Sequence, residues 1–143
     1  MLSAHSTLAN LVIVLIAISV FIDVHILSSK GNLAERNYVV MTGFCTLALG
    51  LILVLTNMFI GKIALGTVVD ARSFFPSLEE HKILVLLALL IIGMLTLIQG
   101  FFLWFQRELN HRRGWGFVSF TWLSFVVVLL VAYYGNHLVY TYQ

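Results

Sequence analysis

Four apolar runs, each long enough to cross a lipid bilayer, take up most of this chain: residues 7–27, 38–60, 83–105 and 115–140. The last three contain no Lys, Arg, Asp or Glu, and the first contains only Asp23. A helix rises about 1.5 Å per residue, so roughly 20 apolar residues span the hydrocarbon of a membrane. In a chain of 143 residues, four such runs leave only short connections. The pattern predicts one domain over residues 1–143, an all-α, integral membrane four-helix up-down bundle with both termini on one side. Composition agrees: the chain is 61% hydrophobic and 10% charged, against about 25% charged in soluble domains. A net charge of +2 without a basic patch gives no reason to expect a nucleic-acid partner. Cys45 is the only cysteine, which excludes an internal disulfide and a CxxCH haem attachment, and it reads as a small core residue.

The third run carries the clearest start signal. Ser77 precedes Glu80 by three residues, the spacing of a capping box, and Pro76 stands just before it. The connection before it, residues 61–80, is the longest in the chain, with apolar pieces at Ile63–Leu65 and Phe74–Phe75. A connection of that length in a small bundle reads as a lid over the helix ends. The first run lacks a basic n-region and a small-residue cleavage site, so it is expected to be a span rather than a cleaved signal peptide. Lys30, Arg36, Arg107, Arg112 and Arg113 fall in the first and third loops, against Lys62, Arg72 and Lys82 in the second. The excess places the first and third loops in the cytoplasm and the termini outside. Trp104 and Trp115 then mark the inner aromatic belt, and the tyrosines near the C-terminus mark the outer one.

At 3.6 residues per turn, side chains 18 residues apart share a direction. Asp23 therefore lies on the face of His5, with Ala9, Val12, Ile16 and Ser19 close to the same line. An ionisable residue within a span usually faces the bundle interior, but the simpler reading is a helix-end carboxylate paired with Arg36 or Arg107. His25 points elsewhere and reads as interfacial. On the second helix Gly43, Thr46, Gly50 and Asn57 share one face, where small residues admit a neighbouring helix or a flat ligand. Close helix packing is the commoner use. On the third helix Gln99 shares the face of His81, and Ala88 lies two turns from the imidazole, leaving room for a planar ligand. On the fourth, Ser119 shares the face of His137, and Gly135 opens space beside that histidine.

His5, His81 and His137 come from three helices, and the alternating topology puts all three at the outer end, level with Asn57. Short loops joining the helices in order place helices one and three on a diagonal. Two inward imidazoles on diagonal helices can ligate both faces of a b haem iron, with apolar burial of the ring supplying the remaining affinity. On this reading His5 and His81 are the metal ligands, and His137 is a substitute ligand or a propionate partner. Lys62, Lys82 and Arg72 stand at the same rim, where propionates would lie. The alternative for each histidine is an interfacial ring that turns its polar edge to water. A three-histidine zinc site has no evident function here, and no hydrolytic set, HExxH or phosphate loop is present. Asp23, His25, Arg107 and His111 offer the start of a proton path but no continuous polar line across the membrane.

The chain resembles the small four-helix bacterial membrane proteins grouped as an uncharacterised domain family. The matching pieces are His5 with the apolar run Leu8–Ile18, Glu80-His81-Lys82, and Gly135-Asn136-His137-Leu138-Val139-Tyr140. Where the family has Phe-Pro after its first histidine the chain has Ser6-Thr7, and Asn136 replaces the second closing glycine. The resemblance implies a matched pair at His5 and His81 and a multi-pass protein of a bacterial inner membrane; it implies no established activity. Together these readings predict an electron-carrying haem b subunit at the outer face of a larger respiratory or photosynthetic complex, exchanging electrons with a periplasmic cytochrome. Two other functions remain open: a cofactor-free accessory subunit packed against other membrane subunits, and a quinone- or chlorophyll-binding bundle.

Overall fold

The computed structural model describes residues 2–66, 75–105 and 111–141, with backbone only for 2–5, 64–66, 75–78, 111 and 136–141. Among the described residues the chain forms α1 (Leu2–Ser28), α2 (Tyr38–Gly66), α3 (Phe75–Phe105) and α4 (His111–Thr141). All four are long and apolar enough to cross a membrane, over 6–28, 38–63, 79–105 and 112–135. The protein is an all-α four-helix bundle suited to a lipid bilayer. Each of α1 and α3 packs against both α2 and α4, which leaves α1 and α3 on one diagonal and α2 and α4 on the other.

Two helix boundaries differ from the sequence reading. The α3 helix is already formed at Phe75, so Ser77 lies inside its first turn rather than at the cap. Pro76 is compatible with that position, because the first helical turn has no use for the missing N–H. The α2 helix continues to Gly66, so Ile63–Leu65 form its last turn instead of a surface lid. Both corrections have one cause: apolar side chains near a membrane rim extend the helix that satisfies their backbone. What remains of the expected lid, residues 67–74, lies outside the described residues.

The first connection is tightly specified. Gly31 N–H donates to the Ile26 carbonyl at 2.8 Å and Lys30 N–H to that of Leu27 at 3.1 Å, a Schellman closure of α1. Lys30 occupies its left-handed position with φ 57°. The side-chain oxygen of Asn37 accepts from the N–H of Val40 at 2.9 Å and caps the start of α2. Arg36 reaches across the bundle end: its Nε donates to the Leu103 carbonyl at 3.1 Å and its guanidinium to that of Trp104 at 3.3 Å. The last turn of α3 thus gains donors for carbonyls that have no partner within the helix.

The interior is aliphatic along most of its length. Val12, Ile16, Leu47, Val54, Ala88, Ile92, Leu95, Val127 and Val128 form one buried cluster. Gly43 and Gly50 carry the contact between α1 and α2: a Cβ at Gly50 would stand 2.8 Å from Ile16 Cδ1, and one at Gly43 3.0 Å from Ile22 Cγ2. The small face of α2 therefore serves helix packing rather than a flat ligand. Cys45 is exposed on the outward face of α2, contrary to the expected core position. A membrane solvates a thiol-bearing side chain as readily as a core does, so its apolar character did not determine its direction.

Candidate functional site

Polar side chains inside the bundle gather in two layers, one near each end. At the end that carries the termini, His81 stands in the first third of α3, partly enclosed. Its imidazole lies against α4 at Gly135, where an added Cβ would sit 3.1 Å from Cε1 and 3.7 Å from Nδ1. The space that Gly135 opens is therefore occupied by His81; the sequence reading had assigned it to His137. Asn57 of α2 turns toward the same interior, and its Oδ1 is enclosed without a hydrogen-bond partner. Ala88, two turns along α3 from His81, is 2% exposed and belongs to the aliphatic cluster. It packs against its neighbours instead of opening a gap, so any ring-shaped ligand would have to sit on the rim side of it.

The other proposed contacts divide into three groups. Lys82 is exposed and pairs with Glu79 at 3.6 Å one turn earlier, a solvated contact of small energetic weight. His5 lies in α1 and His137 in α4, but the side chains of both are outside the described residues, as is the whole of Arg72. His25 is exposed, as expected of an interfacial histidine. Among the described residues no group of three or more His, Cys, Asp or Glu side chains is arranged to hold a metal ion.

The second layer, near the first-loop end, is built around Asp23. The α1 face read from the sequence is the buried one: Val12 is 3% exposed, and Ile16, Ser19 and Asp23 are at 0%. Asp23 is thus an interior residue, and the expected pairing with Arg36 is not made, because that guanidinium is engaged by the α3 carbonyls. Arg107, the other expected partner, lies outside the described residues. Ser19 donates to the Gly43 carbonyl at 3.1 Å, tying α1 to α2 one turn away. An Asp23 oxygen lies 3.4 Å from the position a Gly43 Cβ would take, so the missing methyl makes room for the carboxyl. Gln99, 2% exposed, brings its carboxamide beside Asp23 from the diagonal helix. As placed, both Asp23 oxygens and both polar atoms of Gln99 fall short of hydrogen-bond geometry with any partner.

Sequence reading singled out Asp23 and Gln99 separately but did not join them. The signal was an equal spacing: Asp23 follows His5 by 18 residues, and Gln99 follows His81 by 18. Thr121 and Ser124 of α4, both at 0% exposure, were also missed. Their hydroxyls return to their own helix, at the carbonyls of Phe117 and Thr121, so they add polarity without reaching across the bundle. Compared with known protein families, curated proteins and solved structures, the chain gives no match.

Proposed function

We propose that the protein is a membrane-embedded subunit that binds one b-type haem between His5 and His81 and carries electrons at the end of the bundle where its termini lie. The observation that carries this reading is the register of the two diagonal helices. Asp23 of α1 and Gln99 of α3 meet at one depth, and α1 and α3 run in the same direction. Counting 18 residues back along each helix, about 27 Å, leads to His5 on α1 and His81 on α3 at a second common depth.

The residues present suit such a group in donor type. Two neutral imidazoles are the usual axial pair for haem in helical membrane bundles. The notch at Gly135 lets the His81 ring lie close to α4, and the aliphatic cluster from Val12 and Ala88 downward gives an apolar floor. A bound b haem would supply one-electron exchange. This chain's own contribution is to bring His5 and His81 to one level on diagonal helices, to exclude water beneath that level with the aliphatic cluster, and to offer Asn57 as a hydrogen-bonding group there. Lys62 and Lys82 near the ends of α2 and α3, with Arg72 in the sequence between them, suit carboxylate substituents. With the outer face assigned by loop charge, a periplasmic carrier would be the exchange partner and a bacterial inner membrane the location. The resemblance to four-helix bacterial membrane proteins, with histidines at the starts of helices one and three, points to the same pair.

The test is a reduced-minus-oxidised spectrum of protein purified from haem-replete cells. A b-type α-band that disappears in His5→Ala and His81→Ala, with both variants still in the membrane fraction, is the expected result. Absence of the band in the unmodified protein overturns the reading.

A second reading, a cofactor-free scaffold among other membrane subunits, draws on the aliphatic filling of the bundle centre. It expects removal of His5, His81 and His137 together to leave absorbance and complex assembly unchanged.

A further inference from the structure

The layer around Asp23 and Gln99 has no part in haem binding and carries its own inference. Two fully polar side chains face each other at 0% and 2% exposure, within a bundle whose outside is lipid. A carboxylate there has no countercharge from any packed element, among the described residues. On α1 the nearest titratable neighbour, His25, is exposed; α2 presents Gly43 and α3 presents Gln99; the charged residues of α4, Arg112 and Arg113, are exposed. Arg36 is held by α3 carbonyls, and Arg107 and Glu108 lie outside the described residues. Four polar atoms are left without partners, two on each side chain: Asp23 Oδ1 and Oδ2, Gln99 Oε1 and Nε2. Each unsatisfied group in a nonpolar interior is expensive, and a bare buried charge more so.

One added proton resolves all four. We propose that Asp23 and Gln99 form a proton-binding site, in which the carboxylic acid and the carboxamide close a two-point ring across the bundle diagonal. The acid O–H donates to Gln99 Oε1, and a Gln99 Nε2–H donates to the other Asp23 oxygen. The proton comes from water at the first-loop end, five residues beyond Asp23 along α1; hydronium gives it to the carboxylate and leaves as water. Gly43 supports the site by leaving space for the carboxyl, and the Ser19 bond to the Gly43 carbonyl fixes the helix pair that holds it. Loss of the proton removes the bond to Gln99 Oε1 and leaves a carboxylate between apolar helices, held across the diagonal by the Gln99 Nε2–H alone, so the two-point tie of α1 to α3 exists only in the loaded form. Ring formation makes the two diagonal helices, which otherwise touch little, directly bonded.

Infrared spectroscopy of the full chain in lipid bilayers, with carbon-13 in its aspartate carboxyls, tests the site without a variant. At neutral pH the expected spectrum contains the carbonyl stretch of a protonated carboxylic acid. That band is lost in Asp23→Asn, which keeps two-point pairing and so keeps the fold. It moves to higher frequency in Gln99→Leu, where the carbonyl loses its donor. A spectrum showing only ionised carboxylate overturns the proposal. So does a band that is unmoved in Gln99→Leu, or one that changes when sodium replaces choline at constant ionic strength, which would make the site a cation site.

Discussion

The imidazole of His81 occupies the notch left by Gly135 on the neighbouring helix, with Cε1 only 3.1 Å from where a Cβ would stand. A glycine at this position is a matter of space rather than backbone freedom, since it sits within a continuous helix. Adding a methyl pushes the ring off α4 by a few tenths of an ångström or forces another rotamer. In the haem reading that displaces one axial ligand. Gly135→Ala is expected to lower haem retention several-fold and to shift the α-band, while His81→Ala removes haem altogether. The haem-to-protein ratio after purification measures both. Equal ratios in Gly135→Ala and the parent protein would separate the notch from ligand placement.

Arg36 is expected to hold the end of α3 more than to neutralise Asp23. Its two bonds go to the carbonyls of Leu103 and Trp104, the last turn before the third connection. Arg36→Met keeps much of the aliphatic stem and removes the donors. The expected loss is about 1 kcal/mol, the net value of a typical bond or two in partly hydrated surroundings. Amide exchange should rise in the final turn of α3 and stay unchanged around Asp23. Faster exchange near Asp23 instead would show that the guanidinium does serve the carboxyl.

Much of the architecture was legible because a bilayer restricts what apolar runs can become. Run length yields the four helices, and short connections yield the order around the bundle, with α1 and α3 diagonal. The face of α1 was legible too, since Ser19 and Asp23 interrupt an otherwise uniform helix and polarity in lipid points inward. Where all sides are apolar the signal fails. Cys45 carries no polar mark, and both the core and the lipid accept it, so its outward direction could be read only by counting from Gly43. The partnership of Asp23 with Gln99 was hidden for a different reason. Charge favours Arg36 as the partner, but helix-end carbonyls compete for that guanidinium, and the sequence does not show which demand wins. That Gly135 seats the ring of His81 was not legible either, because that ring comes from a different helix and spacing along α4 does not reveal it.

Lys30 marks a correctable strain. It takes φ 57° at the closing position of α1, where glycine is the usual occupant. A non-glycine residue in the left-handed region costs roughly 1–2 kcal/mol, partly offset by the greater chain entropy that glycine loses on folding. Lys30→Gly is expected to stabilise the protein by about 0.5–1 kcal/mol. Chemical unfolding in a defined detergent mixture measures it, with an unchanged or lowered midpoint as the contrary result.

Gly43 and Gly116 form a controlled pair for the packing of α1 on α2. Both are helical glycines, but a Cβ at Gly43 would meet Ile22 Cγ2 at 3.0 Å and an Asp23 oxygen at 3.4 Å, while one at Gly116 meets nothing within 4 Å. Alanine at either site gains similar helix propensity, up to about 1 kcal/mol. At Gly43 that gain competes with crowding of a β-branched side chain that has little freedom to retreat. The added methyl also presses on the carboxyl that faces Gln99. Overpacking of a close contact typically costs about 1–3 kcal/mol, so the net effect of Gly43→Ala is destabilising. Gly116→Ala is neutral to mildly stabilising. Comparing the two by unfolding in mixed micelles isolates the packing term, because propensity cancels between them. Equal midpoints for both variants would mean that α1 and α2 have slack at Gly43, and that the seat of the Asp23 carboxyl is softer than the 3.4 Å approach implies.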